Sequence, residues 1–226
     1  MKDPEDHLSW HLQLPTRGPG ESFLSPRPCV SLGELSEMRG RSLYAGGRRP
    51  AFRLDDEAFA DPDHLDPYAY QVLALRAGYV VGCCRLVPLV SVSTCGVEAL
   101  LGREWFNQML SDLNTKLYQT CEVSRLVVVP EHRNGTLGLR LGAGIWATAR
   151  WLGLCTLIAA VGTREHQDLI YMRAGGRPVP GLGLFPSELF DDNLRIFYFD
   201  IARPAKTFRP LFDEMTVVMK LENRLQ

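Results

Sequence analysis

The stretch Cys121-Glu122-Val123-Ser124-Arg125-Leu126-Val127-Val128-Val129-Pro130, followed by Arg133-Asn134-Gly135-Thr136-Leu137-Gly138, decides how the chain folds. Thr120 to Val129 is a β-favouring, largely apolar run that a proline stops, which marks a buried strand. Leu137 to Leu152 follows with Leu141, Ile145, Thr148 and Leu152 on one helical face, and Leu154 to Val161 reads as a second buried strand. Working outward, Tyr68–Leu75 and Tyr79–Pro88 are strand-like runs joined by Arg76-Ala77-Gly78, a hairpin signal. Residues 32–45 (Leu32, Leu35, Met38, Tyr44) predict a helix, with Ser31 as its cap and Gly46-Gly47 as its stop. Residues 97–117 predict one amphipathic helix, because Val97, Leu101, Trp105, Met109, Leu113 and Leu117 recur every four, with Phe106 and Leu110 beside them.

Downstream, Gln167 to Ala174 reads as a short helix ended by Gly175-Gly176. A Gly/Pro loop over 176–187, a strand over Leu194–Ile201 and a last helix or helix–strand remnant over 205–223 complete the chain. Strands alternating with helices imply an α/β (α+β) domain, a mixed central sheet with helices on both faces. Residues 1–30 contain five prolines and little periodicity and are expected to form an N-terminal arm, partly disordered or wrapped over the body, with Trp10, Leu12 and Leu14 as anchors. Residues 31–226 are then the folded domain.

Composition narrows the function. The 226 residues are 46% hydrophobic and 23% charged, which excludes a disordered or fibrous chain and allows one large domain or two small ones. A net charge of −1 and a pI near 6.5 give no strongly basic surface, which argues against nucleic acid as a partner. No signal peptide is visible in the charged start Met1-Lys2-Asp3-Pro4-Glu5, and no apolar run reaches the roughly 18 residues of an integral membrane segment. The six cysteines (29, 83, 84, 95, 121, 155) are scattered and read as reduced residues rather than a disulfide frame or metal site, so a cytoplasmic location is expected. His7 and His11 have i,i+4 spacing but no third ligand near them, so no metal is expected.

Three clusters carry charge into apolar surroundings. Asp61-Pro62-Asp63-His64-Leu65-Asp66 puts three carboxylates into six residues: either a turn capped by aspartates, or an acceptor for a substrate ammonium or an arginine clamp. Gly82-Cys83-Cys84-Arg85-Leu86-Val87-Pro88 holds an arginine inside an apolar strand, where burial without a carboxylate is costly. Glu122 and Arg125 bring both signs of charge into the central strand, which marks a functional site or a structural ion-pair network. The two-residue period puts Glu122 with Ser124 on one face and Arg125 on the other unless a bulge intervenes.

The strand–Pro–loop–Gly–helix passage resembles the acyl-donor site of the GNAT N-acyltransferases, whose pattern is Arg/Gln-x-x-Gly-x-Gly/Ala. Arg133, Thr136 and Gly138 fall on those positions, with Thr136 in place of the first glycine, and the helix starts at Leu137. Free N–H groups of such a loop and helix start receive phosphate oxygens. The full set is Arg39, Arg41 and Tyr44, then Asp61-x-Asp63-x-x-Asp66, then Gly82-x-x-Arg85-Leu86-x-Pro88, then Glu122-x-Ser124-Arg125. Over about residues 35–200 it resembles the autoinducer (acyl-homoserine-lactone) synthases and their relatives, the bacterial N-acyl amino acid synthases.

That resemblance implies a GNAT-like fold and transfer of a fatty acyl group from acyl-carrier protein, or acyl-CoA, to the amine of an amino acid or of S-adenosylmethionine. No permanently bound cofactor is implied. It places Asp61, Asp63, Asp66, Arg85, Ser124, Arg125 and an N-terminal arginine, Arg41 ahead of Arg39, around the acceptor. It also places Glu122 in the charged cluster; burial in an apolar strand suits Glu122 to accept the proton, and a bulge near Val128–Val129, where the strand meets Pro130, is expected to aim an unpaired backbone N–H at the oxyanion. Residues Arg133, Thr136, Leu137 and Gly138 would then hold the donor. Trp105, Phe106, Met109, Trp146 and Ile158 are candidates to line the acyl chain. No tryptophan lies between Arg41 and Asp61, where the lactone synthases usually carry one, which favours an amino acid over S-adenosylmethionine. The alternatives are a lactone synthase, a CoA-dependent small-molecule acetyltransferase and a non-catalytic binding module.

Overall fold

The computed structural model describes residues 8–18, 29–47, 49–133 and 135–222. One mixed sheet contains β1 (Leu8–Gln13), β2 (Tyr70–Arg76), β3 (Tyr79–Pro88), β4 (Thr120–Val128), β5 (Thr156–Gly162), β6 (Arg177–Pro178), β7 (Phe185–Ser187) and β8 (Asp192–Asp200). The order across it is β1-β2-β3-β4-β5-β8-β6, with β7 also pairing β8. The neighbours are antiparallel except β4 and β5, which are parallel and linked by α4 (Leu137–Trp151). The mixed sheet expected from the sequence is therefore present.

Two layers cover the sheet. On one face α4 and α6 (Arg209–Glu222) pack over Val72, Cys84, Leu86, Cys121, Leu157 and Phe197, and Trp146 fills their junction. Its ring meets Phe199, Phe208 and Phe212, and its Nε1 donates to the Ile201 carbonyl at 3.1 Å, so its one polar atom is satisfied inside the core. On the other face lie α1 (Leu32–Ala45), over Leu73, Cys83 and Val127, and the pair α2 (Gly96–Leu101) and α3 (Arg103–Asp112), over Ile158 and Ile196. Neighbouring Cys83 and Cys84 thus belong to opposite faces, and all six cysteines are free thiols. Helix α5 (Gln167–Arg173) follows β5, and its Tyr171 packs on Phe197 and Phe199.

Local chemistry sets the boundaries. Helix α1 starts on a full capping box: Ser31 accepts from the Glu34 N–H while Glu34 accepts from the Ser31 N–H, and the helix ends at Gly46. Two departures from the sequence reading have clear causes. The helix expected over 97–117 is broken at Gly102 (φ +79°), whose N–H closes α2 on the Glu98 carbonyl before α3 begins, and Trp105 points to solvent. The expected N-terminal arm contributes β1, which pairs with β2 over six residues and buries Trp10, Leu12 and Gln13; residues 1–7 and 19–28, His7 among them, lie outside the described residues.

The hairpin turn between β2 and β3 places both central residues at positive φ, Ala77 at +50° and Gly78 at +81°. That is the two-residue turn whose twist matches paired strands, and alanine is a poor occupant of its first position. Ala77→Asn is therefore expected to raise stability by about 0.5–1 kcal/mol in urea denaturation. An unchanged or lowered midpoint would count against this turn.

Candidate active site

Three arginines and three aspartates close into a ring of alternating charge on the face that carries α1. Arg39 spans Asp61 and Asp66: its Nε faces an Asp61 oxygen at 3.3 Å, and its two terminal nitrogens donate to both Asp66 oxygens. Asp66 also accepts from Arg85 Nη1 at 2.9 Å, Arg85 Nη2 reaches Asp63 at 3.0 Å, and Arg125 joins Asp63 at 2.8 Å to Asp61 at 2.7 Å. Arg39, Arg85, Asp61 and Asp66 are buried. Around Asp61 the angles give ion pairs rather than directed hydrogen bonds. Ser124 Oγ accepts from Arg85 Nε and Nη2 at 3.1 and 2.9 Å, and Gln71 donates to Asp66. Burial alone would raise the Asp63 carboxyl, but Arg85 and Arg125 hold it down to about 2, and Arg39 and Arg85 likewise lower Asp66 against its own burial.

The ring depends on two backbone features. Helix α1 can seat Arg39 beside Asp61 only because Gly40 has no side chain: a Cβ there would lie 2.7 Å from the Ala60 nitrogen. Strand β4 carries a bulge, with Cys83 opposite Val127 and Arg85 opposite Ser124, so that Arg125 and Leu126 together face Cys84. Arg125 sits at φ +55°, which turns its side chain onto the same face as Glu122 and Ser124. The exception allowed by the two-residue period is the one found, three residues nearer the strand start than the expected Val128–Val129 bulge.

Glu122 sits where the sheet opens. Strands β4 and β5 pair only from Thr120–Thr156 to Glu122–Ile158, and both run on past that point without pairing to each other. A cleft of about 500 Å³ fills the widening gap, lined by Glu122 through Val127 of β4 and Ala160 through Gly162 of β5. Gly96, Val97 and Leu100 of α2 form one wall; Asp63, Arg85, Tyr171 and Phe190 are among its other linings. Its size is that of a small-molecule site. Glu122 is 3% exposed, and one oxygen accepts from the Val97 N–H at 2.7 Å. Gly96 makes room for it, since a Cβ there would lie 3.0 and 3.2 Å from the two carboxylate oxygens. The Cys95 thiol is pushed up to about 12 by burial and by the Glu122 charge beside it, so it stays protonated. At the cleft margin the Phe190 ring meets the guanidinium of Arg49 at 3.9 Å and that of Arg125 at 5.8 Å.

Several expected assignments need correction. Arg39, not Arg41, is the N-terminal arginine of the cluster; Arg41 is exposed and pairs with Glu37 one turn away. Val128 and Val129 do not line the cleft, and the Val129 N–H already donates to the Val81 carbonyl at 3.1 Å. Arg133 turns away from any donor: its Nε donates to the Val128 carbonyl and its Nη2 to the Ser42 carbonyl. Thr136 and Leu137 instead line a separate hollow of about 320 Å³ with Arg76, His132 and Arg140, at a helix start that has no side-chain cap, and Gly138 lies against Val128. Of the proposed chain-lining residues, Trp105 is exposed while Phe106, Met109, Trp146 and Ile158 are sealed in the two cores, and none lines the cleft. Gly96, Val97 and Phe190 carry no charge pattern in the sequence, and proximity alone reveals them. Among the described residues no cluster of His, Cys, Asp or Glu is arranged to hold a metal, and no helix is long and apolar enough to cross a membrane.

Removing one member of a buried alternating ring leaves its neighbours' charge unpaired. Arg85→Ala is expected to destabilise the fold by about 3–5 kcal/mol in urea denaturation; wild-type stability would show that the ring contributes little. Because Asp63 and Asp66 titrate lower in the folded chain, their contribution is complete above the unfolded value near 3.8 and is lost as pH falls from there towards 2. Wild-type stability should decline across that window, and more shallowly in Arg85→Ala. Gly40→Ala should cost about 1–3 kcal/mol by overpacking against Ala60, although alanine is the better helix former.

Comparison with known proteins places this geometry. Residues 45–143 match the acetyltransferase (GNAT) domain family. No curated protein matches the chain significantly. Among solved structures, the CoA-dependent acyl-homoserine lactone synthase BjaI, bound to SAM and isopentyl-CoA, aligns with a TM-score of 0.59 at 21% identity, over 92% of this chain and 90% of that one. TofI, in a ternary complex with an inhibitor and MTA, gives 0.60 at 14% identity, over 93% and 99%. FeeM, an N-acyl amino acid synthase from uncultured soil microbes, gives 0.53 at 10% identity, over 83% and 90%. The chain therefore has the fold that these synthases share, and its residues 45–143 resemble the GNAT domain.

Proposed function

We propose that the chain is an N-acyltransferase that moves an acyl group from a thioester, on acyl-carrier protein or CoA, to the amine of an amino acid. The observation that carries this reading is Glu122: a buried carboxylate at the point where β4 and β5 part, on the wall of a cleft of substrate size. The six ring charges cancel, so Glu122 is the carboxylate there without an arginine of its own among the ion pairs of the ring. An incoming ammonium supplies the missing positive charge.

In this reading Glu122 takes a proton from the ammonium, directly or through water, and the freed amine attacks the thioester carbonyl. Backbone N–H groups of β4, where the strand has lost β5 as a neighbour, meet the developing oxyanion. The tetrahedral intermediate collapses with cleavage of the C–S bond, the amide forms, and the thiolate leaves with the proton. The hollow beside Thr136 and Leu137, with Arg76 and Arg140 at its rim, suits the phosphate of a phosphopantetheine arm. Phe190, clasped by Arg49 and Arg125, supplies an aromatic wall, while the stretch between Arg41 and Asp61 supplies no tryptophan. That absence favours an amino acid over S-adenosylmethionine as acceptor.

Glu122→Gln preserves shape and removes the base. It is expected to lower turnover by at least ~10²-fold with folding intact, read by mass spectrometry of the N-acyl product and by circular dichroism. Undiminished turnover would take Glu122 out of the mechanism.

A further inference from the structure

Charge is unevenly placed along the cleft. Of the charged residues that line it, Asp63, Arg85 and Arg125 are answered within the ring, and His64 stands in solvent beside Asp63. Asp192 is engaged by backbone, its oxygens accepting from the N–H groups of Thr163, Arg164 and Asn193 at 2.7–3.3 Å. Glu122 is then the carboxylate at the end where β4 and β5 part. The guanidinium of Arg164 stands at the other end, past the last residue of β5. Strand rise puts Gly162, that last residue, about 13 Å from Ile158, which is level with Glu122. Side chains from both ends shorten the gap, and a small molecule carrying an ammonium and a carboxylate fits the direction of the field between them.

The turn after β5 presents Arg164 on a fixed backbone and leaves its side chain loosely held. Asp192 clamps the Arg164 N–H, and a Cβ on Gly162 would collide with the Asp192 carboxylate, so glycine is what lets the clamp close. The side chain has only long contacts: Nη1 reaches the Gly47 carbonyl at 3.4 Å and an Asp191 oxygen at 3.3 Å. The Arg164 and Asp191 side chains are 44% and 65% exposed, a setting in which an ion pair is weak. Among the described residues Nε and Nη2 of Arg164 have no partner, so one edge of the guanidinium is open to fork onto a carboxylate. Arg85, by contrast, gives all three nitrogens to Ser124, Asp63 and Asp66, and Arg125 is shared by Asp61 and Asp63.

We propose that Arg164 sets acceptor specificity: its guanidinium holds the α-carboxylate of the amino acid whose amine is turned to Glu122. This rests on the acyltransferase reading above. The carboxylate of a free amino acid stabilises the proton on its own ammonium, so the corresponding amide is intrinsically the readier nucleophile. A preference for the free acid therefore has to come from the protein. The test offers the common amino acids, each as the free acid and as its C-terminal amide, with octanoyl and hexadecanoyl groups on CoA and on acyl-carrier protein as donors. Product rates are read by mass spectrometry.

The wild type is expected to favour an acid over its amide by at least ~10-fold in kcat/KM, the effect of one charge-assisted contact. Arg164→Gln is expected to lower that ratio by at least ~10-fold, chiefly through the KM of the acid, with Arg164→Lys in between. Asp191→Asn removes the carboxylate that competes for Arg164, at a left-handed position (φ +46°) that asparagine tolerates, and is expected to raise the ratio. Equal use of acid and amide by the wild type, a ratio that Arg164→Gln leaves unmoved, or one that Arg164→Gln and Asp191→Asn both lower in folded protein, would overturn the carboxylate clamp and leave acyl transfer standing. Absence of product from every donor and acceptor would overturn the acyltransferase reading, and the clamp with it.

Discussion

Gathering six charges in one place, four of them fully buried, is possible only because each is answered on both sides by its opposite. Arg39, Asp61, Arg125, Asp63, Arg85 and Asp66 close a ring in which every guanidinium meets two carboxylates and every carboxylate two guanidinia. An isolated pair at that depth would be a poor bargain against water, but a closed circuit leaves no end uncompensated. The ring ties together α1, the acidic loop, β3 and β4, which are distant in sequence, and it fixes the bulge that brings Arg125 round to the face of Glu122. The cleft opens beside it, so the ring serves as the frame of the site.

The opening itself comes from the sheet. Two parallel strands that pair for three residues and then part create a slot through the central layer, in a place where a fully paired sheet would admit nothing. Glu122 lies at the last paired position, with α2 brought close enough for the Val97 N–H to hold it. Gly96 eases that approach: a methyl group there would press against both carboxylate oxygens at 3.0 and 3.2 Å. A six-residue helix thus does for Glu122 what a long one does elsewhere, fixing a carboxylate by a single amide.

Much of this was legible in the sequence. The capped α1, the β2–β3 hairpin, β4 with its proline stop, α4 and β5 follow from periodicity and turn chemistry, and the charged strand residues announced a cluster. What was misread shows where one-dimensional patterns lose their hold. Leu35, Arg39, Ser42 and Leu43 share one side of α1, so helical spacing pointed to Arg39, and the preference for Arg41 ignored it. Leu8, Trp10, Leu12 and Leu14 alternate as a half-buried strand, a signal masked by the prolines around it. Gly102 falls inside the periodic run 97–117, and its positive φ, which the periodicity does not show, ends one helix and begins another. The strand-parting at Glu122 left no mark in the sequence at all, because it depends on which neighbour β5 prefers beyond Ile158.

The neutrality of the ring has a bearing on how such a protein can change over generations. Any lone exchange among its six members leaves an orphan charge in the interior, so tolerated routes through sequence space must alter partners together or leave all six alone. Diversification towards new substrates is thereby channelled to residues that touch the cleft without joining the circuit, such as Ala160, Leu100 and Phe190, where one step can be taken at a time.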